Sequence, residues 1–193
     1  MSEAPADPHL FPLFLRLAGK DVLVVGAGAV AERKIHDLVE AGASVRVVAI
    51  EASSAVEALA ARGRITLVRR AFEDSDVDGA WLVVAATSAP EVQARACARA
   101  DRTRTFSIAV DDPPNGSAYS ASVIRRMPFT IAISSSGEAP ALTRLLREVL
   151  EQALPEPDWI EAARALRQKW RNDGTPMTSR FADLVRAFKE RAG

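Results

Sequence analysis

A glycine-rich turn is the first stretch of this sequence whose residue types point to chemistry. It lies in VLVVGAGAVAERK, residues 22–34, where Gly26, Gly28 and Ala31 follow an apolar run. In this G-x-G-x-x-A spacing the first glycine permits a tight turn, and the second lets the backbone approach a pyrophosphate. The small Ala31 lets the following helix pack closely on the strand. Because a helix N-terminus offers N–H groups and partial positive charge, the turn predicts a dinucleotide phosphate site.

The elements around this turn complete a strand–helix–strand unit. Apolar periodicity predicts a strand at residues 22–25, a helix at 30–41 and a strand at 44–50. Glycines also serve ordinary strand-to-helix turns, so it is the complete unit that favours the dinucleotide interpretation. Glu51 stands slightly beyond the place where an acid usually grips the ribose hydroxyls, and residues 49–55 contain no arginine for a 2′-phosphate. The sequence therefore predicts NAD rather than NADP.

Strands and helices continue to alternate up to residue 110. Strands are predicted at residues 65–69, 80–86 and 105–110, and helices at 51–62 and 90–100. Most of these strands are apolar throughout, which is typical of a parallel sheet covered on both faces. Beyond Asp111 the pattern predicts two short strands around Pro128, an amphipathic helix at 140–154 and two short helices within 159–192.

This order predicts an α/β chain with three segments. We expect a Rossmann-like parallel-sheet domain at residues 1–112, a small α/β dimerisation and substrate segment at 113–154, and a C-terminal helical segment at 155–193. The helix at 140–154 carries an apolar stripe of Leu142, Leu145, Leu146, Val149 and Leu150. Short helices with such stripes need a partner surface, so we expect a homodimer.

Composition and charge exclude several classes of protein. The 193 residues are 48% hydrophobic and balance 25 basic against 25 acidic side chains. The apolar runs are shorter than the ~18 residues of a membrane helix, and residues 1–9 lack the order of a signal peptide. One cysteine forms no internal disulfide, and two histidines give no metal cluster. With a pI near 6.8, we expect a cytoplasmic protein without nucleic-acid, membrane or metal-cofactor binding.

Several runs of the sequence, taken together and in order, resemble one known family. They are FPLFLRLAGKDVLVVGAGAVAERK at 11–34, LVEAGA at 38–43, VVAATS at 83–88, VDDP at 110–113 and IAISSSGEAPALTRLLRE at 131–148. In combination they resemble the precorrin-2 dehydrogenase and sirohydrochlorin ferrochelatase module of sirohaem synthase. The resemblance covers about residues 11–155. Larger members continue into a methyltransferase domain, for which this chain is too short.

The resemblance implies NAD-dependent oxidation of precorrin-2 to sirohydrochlorin by a homodimer, followed in some members by ferrous iron insertion. It assigns Asp111 as the catalytic base, just past a strand end where open α/β sheets place ligands. Hydride transfer to nicotinamide with loss of a proton needs one base beside the cofactor. An ordinary Asp-Pro turn is the alternative for this run, and Asp112 fits that turn. The expected cofactor contacts are Gly26, Gly28, Ala29, Val30, Ile50, Glu51 and Thr87.

Candidate substrate contacts come from serines and arginines. Ser135 aligns with a serine bordering the family's active site, and Ser135 and Ser136 precede a helix, where they suit either an anion or capping alone. Arg125 and Arg126 suit the carboxylates of a tetrapyrrole, or form a charged turn without function. Ile108 replaces the family's usual asparagine, and residues 118–121 lack its aromatic-x-x-Pro pattern. Contacts within 113–122 are therefore left open by the sequence.

Two other functions fit the same residues. One is a catalytically silent NAD or tetrapyrrole sensor, which would bind both ligands without reducing NAD. The other is an unrelated Rossmann oxidoreductase, which would act on a small metabolite and ignore tetrapyrroles. Reduction of NAD with precorrin-2 separates the dehydrogenase from both alternatives.

Overall fold

The computed structural model of this protein describes residues 10–154 and 157–192, which belong to two compact units. The first unit contains residues 10–121 and 134–139, and the second contains residues 122–133, 140–154 and 157–192. The assignment of three functional segments, with boundaries after residues 112 and 154, stays a prediction.

The first unit is built on a five-stranded parallel sheet in the order β3-β2-β1-β4-β5. Its strands are β1 (Asp21–Val25), β2 (Ser44–Ala49), β3 (Thr66–Arg69), β4 (Leu82–Ala85) and β5 (Phe106–Ala109). Its helices are α1 (Ala29–Glu40), α2 (Ser54–Ala61) and α3 (Pro90–Arg102). The strand order reverses between β1 and β4, and ligands of such sheets bind outside the carboxyl ends at this point. The predicted Rossmann-like α/β fold is confirmed.

Apolar side chains cover both faces of this sheet. On one face Val24 packs with Ile35 of α1 and Val56 of α2. On the other face Leu23 packs in a cluster with Cys97 of α3. These five side chains are at most 2% exposed. Strands buried on both faces explain the apolar runs that the sequence displays without alternation.

One predicted helix begins later than its sequence pattern suggests. Helix α2 begins at Ser54 rather than at residue 51, because Ser53 is its N-cap and accepts a hydrogen bond from the Val56 N–H at 3.3 Å. Residues 50–52 form the loop after β2 instead. The remaining strands and helices of the unit lie where the sequence predicts them, with small differences at their ends.

The second unit contains an antiparallel hairpin and three helices. The elements are β6 (Ser122–Arg126), β7 (Phe129–Ile133), α4 (Pro140–Ala153), α5 (Pro157–Asn172) and α6 (Met177–Ala192). Ile124 of β6 is 1% exposed, and the rings of Trp159 and Phe188 join α5 to α6 with centroids 4.5 Å apart. Across the described ranges of both units, each helix is too short or too polar to cross a membrane.

Candidate functional site

A cavity of about 710 Å³ lies at the carboxyl edge of the sheet in the first unit. Backbone hydrogen bonds extend the sheet past its strand ends, from Gly26 to Val48, from Ala86 to Val25 and from Val110 to Ala85. The cavity brings together every predicted cofactor contact: Gly26, Gly28, Ala29, Val30, Ile50, Glu51 and Thr87. Asp111 lines it as well.

The glycine turn excludes a side chain at Gly26 and leaves open space at Gly28. Gly26 has a φ of +104°, and a Cβ there would lie 2.3 Å from the backbone oxygen of Ala86, so a side chain is excluded. A Cβ on Gly28 would meet no atom within 4 Å, so its absence leaves open space beside the cavity. Gly28 caps α1 without a side-chain hydrogen bond, which leaves first-turn N–H groups for a ligand. Ala31 is fully buried where α1 packs on the sheet.

The loop after β2 is tied to this turn. The Ser53 N–H donates to the Ala27 carbonyl at 3.0 Å, and the Ser53 hydroxyl donates to Glu32 of α1 at 3.0 Å. These bonds fix the loop that carries Glu51. The exposed Glu51 therefore stands beside the glycine turn, on the β2 side of the cavity.

Asp111 stands on the opposite side, directly after the end of β5. It has a φ of +63°, a left-handed conformation that is unfavourable for a residue with a Cβ. Two bonds hold the preceding residue: the Val110 N–H donates to Ala85 O at 3.0 Å, and the buried Gln93 amide donates to Val110 O at 2.6 Å. Strain that is held in place by its surroundings is typical of functional sites.

The neighbouring Asp112 has a different role. Its carboxylate accepts a hydrogen bond from the Asn115 amide at 2.5 Å, and it precedes the short 3-10 turn Pro113–Asn115. Asp112 thus serves the turn, while Asp111 lines the cavity.

A lysine of α1 lies within electrostatic range of Asp111. Burial lowers the pKa of the Lys34 ammonium, whereas the carboxylates of Asp37 and Asp111 act to raise it. Lys34 is half-buried. It therefore adds positive charge near the candidate base, at a helix position that the sequence pattern gave no reason to select.

An arginine after β3 also lines the cavity, next to Ala71 and Phe72. Arg70 donates to both carboxylate oxygens of Asp76, at 2.7 and 2.6 Å. Arg46 donates to the same carboxylate at 3.0 Å. Asp76 is 2% exposed, and the hydrogen bond from Arg70 holds the pKa of its carboxyl below the usual range. Arg70 is thus fixed by a buried anion at the wall of the cavity.

The candidate substrate contacts fall in both units. Residues 134–139 belong to the first unit, where a Cβ on Gly137 would lie 3.8 Å from Pro113. The Ser135 hydroxyl accepts from the Ala139 N–H at 3.1 Å, which is a local turn bond, and Ser136 follows it with a φ of +53°. Arg125 and Arg126 lie on β6 of the second unit. Their substrate contacts, and those of the two serines, stay predictions.

Within the described residues, no group of three or more His, Cys, Asp and Glu side chains is arranged to hold a metal ion.

Comparison with known proteins places this site in a family. Residues 13–122 match a family model described as NAD(P)-binding, and residues 126–153 match the central region of sirohaem biosynthesis proteins. The chain belongs to the NAD(P)-binding family of the first model. The match at 13–122 includes the glycine turn, Glu51, Arg70, Thr87 and Asp111.

Several curated relatives are similar over most of this chain. Siroheme synthase 3 of Aeromonas hydrophila is 48% identical over 145 residues, which are 75% of this chain and 31% of that protein. Siroheme synthase 2 of Yersinia enterocolitica is 42% identical over 172 residues, 88% of this chain and 36% of that protein. The chain spans about a third of the length of these family members.

A solved structure has the same fold. The chain described as "SirC, precorrin-2 dehydrogenase" aligns with a TM-score of 0.76 at 22% identity, covering 92% of this chain and 88% of that chain. At this level of sequence identity the similarity shows a shared fold and nothing more.

Sequence reasoning missed three residues around the cavity of this family member. Gln93 and Lys34 lie on helices, where a lone polar residue most often faces solvent. The dinucleotide pattern concerns residues 49–55, directly after β2, and Arg70 lies beyond them. Its position one residue beyond a strand parallel to β2 was the available signal, because parallel strands end at the same edge.

Proposed function

We propose that this chain is an NAD-dependent dehydrogenase that oxidises precorrin-2 to sirohydrochlorin in sirohaem biosynthesis. The observation that carries the proposal is that Asp111 and the glycine turn line one cavity. The family match over residues 13–122 supports a nicotinamide dinucleotide in that cavity. The names of the similar siroheme synthases and of the similarly folded dehydrogenase support a tetrapyrrole substrate.

Different residues at the strand ends bind different parts of the dinucleotide. The glycine turn and the first turn of α1 bind the pyrophosphate through backbone N–H groups. Glu51 accepts hydrogen bonds from the ribose hydroxyls of the adenosine half, which favours NAD. Thr87 and Asp111, on the side of β4 and β5, would hold the nicotinamide half. When bound there, NAD supplies a two-electron acceptor for hydride.

Asp111 acts as the base. Oxidation of precorrin-2 releases one hydride and one proton, and the Asp111 carboxylate accepts the proton before passing it to solvent. The products are sirohydrochlorin, reduced dinucleotide and a proton, so atoms and electrons balance. Lys34 places an ammonium group within electrostatic range of this carboxylate. Ferrous iron insertion, with iron as a substrate, would use the same carboxylate to take protons from the pyrrole nitrogens.

The test is an anaerobic assay with precorrin-2 and NAD that follows the absorbance of reduced nicotinamide. Growth of that absorbance with formation of sirohydrochlorin is the expected result. Tight binding of both ligands without reduction would identify a sensor instead, and reduction only with a simple alcohol would identify an unrelated oxidoreductase. Repeating the assay with ferrous iron tests for sirohaem formation.

A glycine variant tests the cofactor half of the proposal separately. In Gly28→Val the added side chain occupies the open space beside the turn, so we expect NAD affinity to fall by roughly 10- to 100-fold through lost charge-assisted hydrogen bonds. Ala58→Val is a control for an added valine at an exposed helical residue of the same unit that does not line the cavity. Unchanged NAD affinity in a folded Gly28→Val protein would contradict the assignment.

A further inference from the structure

Arg70 lines the cavity on the side proposed for the adenosine half, and the NAD assignment gives it no role. Glu51 follows β2 and Arg70 follows β3, and these strands pair in parallel with Ala49 opposite Arg69. The two side chains therefore lie at one edge of the sheet, and both line the cavity. Acid and arginine at this place have opposite preferences, since the acid binds a ribose 2′-hydroxyl and an arginine accommodates a 2′-phosphate.

The contacts of Arg70 leave one edge of its guanidinium available. Its Nη1 donates to Asp76 and to the Ala71 carbonyl at 2.9 Å, and its Nη2 donates to Asp76. Three of its five N–H donors are thereby used. Within the described residues the Nε–H and the second Nη2–H have no hydrogen-bond acceptor, and they point in parallel from the same edge of the guanidinium plane. This is the two-pronged geometry that binds phosphate oxygens.

A buried carboxylate makes this arginine rigid. Asp76 is 2% exposed and also pairs with Arg46, so two guanidinium groups share one carboxylate. A guanidinium held in this way loses little rotational freedom on binding an anion. Glu51 is exposed, so its side chain can turn toward solvent when a phosphate enters.

We propose that Arg70 is a specificity-determining residue that binds the 2′-phosphate of NADP, so that the chain accepts NADP as well as NAD. The proposal rests on the assignment of the cavity as the dinucleotide site. It extends that assignment from NAD alone to both dinucleotides, with Glu51 serving one and Arg70 the other.

The experiment is a titration of the full chain, without tetrapyrrole, with NAD, NADP and 2′,5′-ADP. Wild-type protein is expected to bind NADP within about tenfold of NAD. Arg70→Ala should weaken NADP and 2′,5′-ADP by about 10- to 100-fold, the range of a charge-assisted pair, and NAD by less than threefold. Arg70→Lys, which keeps the charge without the fork, should fall between the two.

A neighbouring arginine provides the matched control. Arg69 ends β3, pairs with Glu57 on the surface and does not line the cavity, so Arg69→Ala should change neither affinity. An equal loss of NAD and NADP in Arg70→Ala would overturn the proposal, because Arg70 would then contact the adenosine common to both. Wild-type NADP binding more than a hundredfold weaker than NAD binding would also overturn it. If the wild type bound neither dinucleotide, the cavity assignment itself would fail, whereas failure of precorrin-2 turnover alone would leave this inference standing.

Discussion

The two units of the chain bury their apolar residues to different extents. In the first unit Val24, Ile35 and Val56 are fully buried, and both faces of the sheet are covered. In the second unit α4 exposes an apolar stripe whose members are 38–55% accessible: Leu142, Leu145, Leu146, Val149 and Leu150. The buried residue of α4 is Thr143 instead. A unit that closes its own core can hold a ligand site, whereas an open stripe of this kind requires another surface.

This contrast predicts that chemistry and assembly can be disrupted separately, and the largest effect is expected in the first unit. Asp111→Ala should lower dehydrogenase turnover by about 10²–10⁴-fold, the contribution of a positioned base. NAD affinity should hardly change, because in our proposal the glycine turn and not Asp111 binds the pyrophosphate. The measurement is kcat together with NAD affinity.

The adjacent aspartate is the control for this change. Asp112→Ala removes a turn contact with Asn115 and should cost far less turnover than Asp111→Ala. Turnover of Asp111→Ala at the wild-type rate would remove Asp111 from the mechanism. If both variants lost stability equally and neither lost turnover separately, Asp111 and Asp112 would serve only as turn residues.

A smaller effect is expected on the stability of the same unit. Asp76→Asn removes a buried charge that binds Arg46 and Arg70, and should lower the free energy of unfolding by about 2 kcal/mol at pH 6. The exposed Asp101 provides a control in Asp101→Asn. Urea unfolding measures both differences.

The pH dependence of this cost has a defined sign. The pKa of Asp76 is depressed in the folded protein, chiefly by the hydrogen bond from Arg70, relative to about 3.9 when unfolded. Its contribution is therefore fully present above pH ~4 and disappears as pH falls through the folded value. The difference between wild type and Asp76→Asn should shrink in that acidic window. A constant difference would assign the cost to packing rather than charge.

The smallest expected effect concerns assembly through the second unit. We predict a homodimer in which the α4 stripe is buried, so Leu145→Glu should weaken dimerisation by about tenfold. Arg144→Gln, on the polar side of the same helix, should leave it unchanged. Light scattering across a micromolar dilution series measures the change, and NAD affinity should be the same in both variants. A monomeric wild type with full activity would contradict the dimer.

Much of the fold was predictable because parallel strands buried on both faces appear in the sequence as continuous apolar runs. Such runs predicted the positions of β1, β2 and β4. The start of α2 was less accessible, since the alanine-rich segment after residue 50 favours a helix throughout and only the Ser53 cap decides where it begins. The glycine turn was predictable for a similar local reason, because its spacing serves contacts within one strand–helix unit.

The sequence by itself determined the glycine turn and the order of strands and helices, because each rests on residues close together along the chain. Its runs, taken in order, also indicated the family. Only the tertiary structure showed which other residues line the cavity together with that turn. Arg70 is 44 residues from Gly26 and Asp111 is 85 residues from it, and parallel pairing brings all three to one edge of the sheet. The buried bond to Asp76 then fixes Arg70, and Gln93 supports the strained backbone at Asp111. Such contacts depend on the register of strands and the packing of helices, which no local pattern encodes.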